Sequence, residues 1–578
     1  MADGCEDFLN LRDGLSSRVE PKIIAGEATT WHDECDVLVI GFGLAGASAA
    51  IEAADRGMRV LLVDRFMGGG SSEMSGGIVY AGGGTPVQQA CNVTDTPAAM
   101  ADYLRREVAG TVADETIQRF CDESIETLAF LSRNGVQFSG PAAPKKTSYP
   151  PSDYYLYYSD NGTVPAYMGA HPPAERGHRA KDAALVPGAR RPPGKKPHGG
   201  FAEGADMGWH LMAAMKLAVA EHANIRVLRQ TRACALLTDS TGRVQGAQVA
   251  ALAPGSLASR IHDWAERKLR NSTLELLGIN GPLMRWIMRI ESRARPLTLR
   301  ARHGVVLSAG GHRRNKALME RFAPKYLNTL PLGCLGDDGA GLRLGASVGA
   351  ATDHLDKISA WRFVNPPFEW TKGVIIGRDG TRLTNEEQYG AHVTRDIYEK
   401  SNGEAWLVVD RQTWEKALEE VDSGQLYRFQ QFPVKQAVRK AARASTIEAL
   451  AANIGVPAEP MRAAIDAYSA AAVGGKPDPM GKADASRRAF GEGPYFAISL
   501  THQAPTNPIT ALTTGGLRVD ERTGAVVDHG GVAIPGLYAA GRTAVGIPSN
   551  NYVSGLSLAD GVWSGRRAAR SISEATGP

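Results

Sequence analysis

Cysteine is in short supply. Cys5, Cys35, Cys91, Cys121, Cys234 and Cys334 are scattered, with no CxxC pair and no histidine at metal-ligand spacing. That argues against a disulfide framework and a zinc site; no metal is expected, and a reducing cytoplasm is the natural setting. Long apolar runs are missing too. Nothing approaches the roughly 18 apolar residues that span a bilayer, and Met1 to Trp31 lacks the apolar centre of a signal peptide. Charge of one sign is equally scarce, since a formal +4 over 578 residues gives no support for a nucleic-acid partner.

What remains is a globular composition, 43% apolar and 22% charged, on a chain long enough for two or more domains. Glycine is abundant at 65 residues and falls in clusters at Gly41–Gly46, Gly68–Gly84, Gly310–Gly311 and Gly515–Gly516. Such clusters are expected where backbone must approach a large ligand repeatedly. The first has the most context. Asp36-Val-Leu-Val-Ile40 reads as a buried strand, Gly41-Phe-Gly-Leu-Ala-Gly46 as a tight turn, and Ala47 to Arg56 as a helix. A second strand, Met58 to Val63, ends on Asp64. In this dinucleotide-binding pattern Gly41 makes the turn, Gly43 admits the pyrophosphate and Gly46 lets helix and sheet pack closely. The helix N-terminus favours the pyrophosphate charge, and Asp64 accepts from ribose hydroxyls.

The turn alone leaves NAD and FAD open. Three later segments favour FAD: Met67-Gly-Gly-Gly-Ser-Ser-Glu-Met-Ser-Gly-Gly-Ile78, the strand from Leu299 into Gly310–Gly311, and Gly536-Leu-Tyr-Ala-Ala-Gly-Arg542 ahead of a last helix. As a set, from Asp36 to Ile572, they resemble the flavoprotein family of fumarate reductase and the 3-ketosteroid dehydrogenases. The resemblance implies an α/β fold: a Rossmann-type FAD-binding domain from both ends of the chain (35–350 and 495–578), an inserted α+β cap (351–494) and an N-terminal extension (1–34). It implies FAD contacts at Gly41, Gly43, Gly46, Asp64, Ser71, Ser72, Gly76, Gly77, Ala233, Gly541, Leu556 and Ser557. No histidine stands where the family's covalent link would be, so non-covalent FAD is expected.

The same resemblance bears on the reaction. Fumarate reductases use an arginine as proton donor, and Gly390 occupies its place here. Their substrate-clamping arginine is replaced by Asn550-Asn551-Tyr552, and a histidine by Thr513-Thr514. A dicarboxylate reductase is therefore not expected. Tyr389, after Asn385-Glu386, and Tyr552 match the 3-ketosteroid dehydrogenases, and Tyr552-Val-Ser554-Gly resembles the group that desaturates C4–C5. A base removes the proton α to the ketone while the β carbon gives hydride to flavin N5. Tyr389, Tyr552 and Ser554 are the expected catalytic set, with the base and the ketone donor left open among them. A C1–C2 dehydrogenase and a flavin-dependent reductase of another unsaturated acid are the alternatives. A steroid and an external electron acceptor are the expected partners; the oligomeric state is left open. The tyrosine-rich Thr147 to Tyr158 has no assigned role, and the Pro-rich punctuation around His171, His178 and Arg179 reads as a surface or flavin-covering loop.

Between Val244–Leu252 and Leu299 the chain holds about 45 extra residues, Ala253 to Pro296, counted against the short hairpin usual in the family. Leu257, Ile261, Trp264 and Lys268, then Leu283, Trp286, Ile287 and Ile290, recur at helical spacing. Arg260, Arg267, Lys268, Arg270, Arg285, Arg289, Arg293 and Arg295 outnumber Asp263, Glu266, Glu275 and Glu291. Two basic amphipathic helices joined at Gly278–Pro282 are expected, lying on a membrane surface or packed as a helical hairpin.

Overall fold

The computed structural model describes residues 8–20, 22–23, 30–151, 153–181, 207–270, 280–501 and 509–577. Glu275 and Gly278 of the expected insertion, and much of the expected N-terminal extension, lie outside them. Among the described residues one sheet has nine strands. Its parallel heart runs Ala533–Ala539, Arg295–Leu307, Asp33–Ile40, Val60–Val63 and Ile225–Leu228, so both ends of the chain build it. The strand Arg295–Leu307 has a second duty, since its first half pairs antiparallel with Val244–Ala251.

Alternation along these strands sends Val37, Val39 and Leu62 to one core and Leu38, Ile40, Leu61 and Val63 to another on the opposite face. The first core is closed by the helix Leu44–Asp55 and the final helix Leu556–Thr576. The two helices touch backbone to backbone: a Cβ on Gly565 would sit 2.3 Å from Ala45 O. Glycine there brings both helix N-termini to the same edge of the sheet.

A second, antiparallel sheet orders Val374–Gly377, Ala405–Val409, Tyr495–Ser499 and Ala442–Ala444, with helices on both faces. Its strand Tyr495–Ser499 begins just past Pro494. The His178–Arg179 region differs from the expected loop. Gly177–Arg179 is a buried strand pairing with Ile78–Tyr80, and the Arg179 guanidinium lies over the Tyr155 ring at 4.2 Å. Punctuation by proline marked the flanks of this segment and hid a three-residue strand. His171 is exposed.

The insertion forms helices Leu257–Leu269 and Asn280–Glu291. In the first, the side turned inward is Ser259, His262, Ala265, Glu266 and Leu269, while Leu257 and Trp264 face outward. The apolar stripe of the first helix is therefore largely the exposed one, whereas the second helix turns Trp286 out and buries Ile287. No helix among the described residues is long and apolar enough to cross a membrane.

Candidate active site

A cleft of about 400 Å³ runs along the carboxyl edge of the parallel strands, where open α/β sheets bind ligands. Gly41, Gly43, Asp64, Ser71, Ser72, Gly76, Ala233, Gly541, Ser557, Tyr389, Tyr552 and Ser554 all line it. Gly46, Gly77 and Leu556 are not in its lining and pack behind it.

The glycine turn separates two roles. A Cβ on Gly46 would lie 1.9 Å from Gly41 O, and Gly41, at φ +108°, would place one 2.4 Å from Ser308 O. Those two positions serve the fold. A Cβ on Gly43 meets only Ser72 Oγ, at an ordinary 3.6 Å, so the missing side chain there serves the cleft and not the packing. Beyond it Gly43 gives the helix Leu44–Asp55 no side-chain cap; the Leu44 amide donates to Ser72 Oγ at 3.1 Å, and the amides that follow are left to meet an anion. Asp64 is held at the strand tip by the Phe42 and Phe66 amides, which donate at 2.7 and 2.8 Å.

Three glycine-rich segments meet at Asp337, which has no motif of its own. Its carboxylate accepts from Ser71 Oγ at 2.9 Å, the Gly311 amide at 3.2 Å and Arg542 Nη2 at 2.6 Å. Arg542 is largely covered, lines the cleft and keeps a buried Nη1 without a hydrogen-bond partner among the described residues. A buried cationic donor left open beside a glycine cradle calls for a polar, anionic ligand. FAD fits these residues: the Gly43 turn and Asp64 for its ADP half, and Arg542 and the uncapped final helix for the rest.

The other end of the cleft is aromatic and uncharged. Tyr389 caps the helix Gly390–Ser401 and is buried, its amide donating to Asn161 Oδ1 at 2.6 Å. The Tyr389 and Tyr552 rings lie 6.3 Å apart, and Trp361 meets Tyr552 edge-on at 5.3 Å. Tyr157 OH donates to Ser554 Oγ at 2.7 Å. Tyr149 forms part of the wall, with its hydroxyl on Gly76 O at 3.1 Å. Burial pushes the Tyr389 phenol far up, the neighbouring Tyr552 and Tyr157 add to that, and the Ser554 hydroxyl opposes it without cancelling it. Tyr552 is also raised by burial, but the Ser557 hydroxyl, the Gly555 amide and Arg542 oppose it. Gly390 has no room for a larger side chain, since a Cβ would come within 2.8 Å of Arg362 O.

Several of these residues carried little signal in the sequence. Tyr149 and Tyr157 sat in a tyrosine-rich run without a role, Arg542 closed a quoted motif unremarked, and Trp361 and Asp337 were silent.

Fold and site together define a dinucleotide-binding flavoprotein. The family described as FAD binding domain matches residues 36–558, and the chain belongs to it. It is 36% identical over 529 residues to 3-oxo-5-alpha-steroid 4-dehydrogenase of Comamonas testosteroni, covering 89% of this chain and 94% of that protein. It is 25% identical over 579 residues to 3-oxosteroid 1-dehydrogenase of Mycobacterium tuberculosis, covering 90% and 94%. Among solved structures it is similar to 3-ketosteroid-delta4-(5alpha)-dehydrogenase of Rhodococcus jostii RHA1 in complex with 4-androstene-3,17-dione. That match has a TM-score of 0.77 and 26% identity, over 96% of this chain and 99% of the other.

Proposed function

We propose that this chain is a flavin-dependent 3-ketosteroid dehydrogenase that introduces the C4–C5 double bond of a saturated 3-ketosteroid of the 5α series. The observation that carries the reading is a cofactor cleft whose far end is walled by tyrosine, tryptophan and one serine, in a chain 36% identical to a steroid 4-dehydrogenase. Bound FAD supplies the hydride acceptor, and an external electron acceptor reoxidises it. Tyr552 is the better base of the two tyrosines, because the Gly555 amide, the Ser557 hydroxyl and Arg542 all favour its phenolate. Tyr389, buried among other phenols, stays protonated and donates to the ketone oxygen as enolate character develops. Ser554, hydrogen-bonded to Tyr389 and accepting from Tyr157, extends a hydroxyl chain behind the ketone donor and holds the Tyr389 hydroxyl in place. Aromatic walls exclude water and accept a flat apolar substrate. The test is incubation with a saturated 5α-3-ketosteroid and an artificial acceptor, followed by location of the new alkene. A C1–C2 alkene favours the Δ1 alternative, and unbleached flavin with every 3-ketosteroid defeats both.

The flavin is bound without a covalent link on this reading. Among the described residues no histidine lines the cleft, and burial pushes the thiol of cleft-lining Cys334 up to about 11, which makes it a poor nucleophile. Acid precipitation should release the flavin quantitatively; yellow pellets would contradict this.

The outer face of the insertion is proposed to rest on an anionic lipid surface. Leu257, Trp264 and Trp286 are 74%, 46% and 41% exposed, and the two indoles lie 6.3 Å apart. Arg260, Lys268, Arg285 and Arg289 are exposed on the same helices, while Glu266 and Glu291 are buried and Asp263 is paired with Arg267. Four bases outward, two acids inward and tryptophan between them suits an interface. Flotation with phosphatidylglycerol vesicles should be lost in the Trp264→Ala/Trp286→Ala double variant; equal flotation on zwitterionic vesicles, or none, would sink it.

A further inference from the structure

The inward face of the same insertion packs Ala265, Leu269, Met284 and Ile287 on Phe66 and Leu335, and its polar side chains meet the rim of the cofactor cleft at two places. At the first, the Gln230 amide donates to Ser259 O at 2.8 Å, and the His262 ring stacks on Phe66 with centroids 5.4 Å apart. Phe66 is the residue whose amide fixes Asp64, so this contact braces the ribose end. Glu291, at the end of the second helix, grips the adjoining Arg65 at 2.7 and 3.0 Å and takes His262 at 3.2 Å. Burial alone would raise the Glu291 carboxyl; Arg65 and His262 instead hold it at about 2, so the grip is charged at neutral pH.

At the second place, Arg270 donates from Nη1 to Glu73 at 2.8 Å and from Nε to buried Glu266. Glu73 belongs to the short helix Gly70–Glu73, and a Cβ on Gly70 would stand 3.3 Å from the Cα of Gly43. Both Glu266 and Arg270 line the cleft. The helix Leu257–Leu269 and its C-cap Arg270 thus reach from the tip of the second strand to the segment beside the glycine turn, the two places an ADP group would touch.

We infer that the insertion is a clamp over the ADP half of the cofactor, with Arg270 the cation that faces the diphosphate. The two carboxylates on Nε and Nη1 fix the plane of the guanidinium and leave Nη2 uncommitted among the described residues. Of the other cations at this rim, Arg65 is already spent on Glu291 and Asp338, and Arg232 donates from Nη1 to Arg18 O at 3.0 Å and lies 3.6 Å from Glu291. A diphosphate entering a water-poor cleft needs a preset cation, and a planar fork held on two sides provides one with little ordering left to do. The inference rests on the FAD assignment and is independent of the steroid.

The test uses the full-length holoprotein. Arg270→Gln should raise the FAD dissociation constant roughly ten- to a hundredfold, measured by flavin fluorescence, and Arg270→Lys should recover part of it. On flavin-stripped protein, ADP binding should weaken by a similar factor while adenosine binding is unchanged. If Arg270→Gln does not fold, hydrogen exchange on the wild type still decides: amides of Leu257–Arg270 should lose protection when FAD is stripped. FAD and ADP affinities within twofold of wild type, or unchanged protection, overturn the clamp. Wild-type protein that takes up no flavin at all would count against the FAD reading instead.

Discussion

The two ends of the cleft are made from different materials. At the ADP end the lining carries Asp64, Arg65, Glu266 and Arg270 beside bare glycine backbone. At the substrate end it carries Tyr149, Trp361, Phe363, Tyr389 and Tyr552. The first end must bind a fixed, charged ligand permanently, so its charges are paired in advance and its backbone is stripped to glycine. The second must receive an uncharged ketone and move one proton. Ion pairs there would be costly to bury and would compete for that proton, whereas phenols pushed up by burial stay neutral until the reaction calls on them. Three departures from the fumarate reductase pattern made this difference visible early. Gly390 supplies the steric reason, because the backbone of Arg362 closes the space an arginine would need.

The sharpest way to break the contrast is Tyr552→Phe. Flavin reduction by steroid should slow by roughly 10²–10⁴-fold, the range typical of general acid–base groups, with FAD content unchanged. A rate within tenfold of wild type would remove Tyr552 as base. The pH profile comes next. A phenol raised by burial is mostly protonated at neutral pH, so the phenolate fraction, and with it the rate, should climb by up to about tenfold per pH unit toward the raised pKa. A profile that falls as pH rises from 7 to 9 would contradict the assignment.

Gly43→Ala and Gly46→Ala then separate ligand from fold at the ADP end. Gly43→Ala should weaken FAD about tenfold and leave the flavin-free protein's melting temperature nearly unchanged, since its Cβ has space in the protein. Gly46→Ala should lower that melting temperature outright, because its Cβ collides with Gly41 O. Equal effects of the two on melting would erase the distinction. Tyr157→Phe is the smallest expected effect. It removes the partner of Ser554 without touching substrate, so a slowing of a few-fold up to about tenfold is expected, shared with Ser554→Ala and not additive to it. Additive losses in the double variant would place the two on separate routes.

Much of the cofactor end was legible because its requirements are local. A strand, a glycine turn, a helix and an acid within about thirty residues must appear in order, and each leaves a mark that a single sequence carries. The substrate end was only partly legible. Tyr389 lies far along the chain from the Tyr552–Ser554 segment, and only the resemblance brought them together. Tyr157 was within sight, in a run of tyrosines, but nothing in its neighbours said that its hydroxyl meets Ser554. The insertion divided the same way. Helical spacing and basic charge were readable, whereas the orientation was not, because amphipathicity names a face without saying what it will meet.

By itself, then, the sequence determined the cofactor fold, the absence of the reductase arginines and the presence of two helices in the insertion. These depend on residue type and on spacing over one or two turns or strands. Tertiary structure alone decided that Asp337 joins Ser71, Gly311 and Arg542, that Tyr157 stands under Ser554, and that Glu266 and Arg270 turn inward while Trp264 and Trp286 turn out. Each of those is a meeting of residues far apart in the chain or a choice of face, settled only by how the elements pack together.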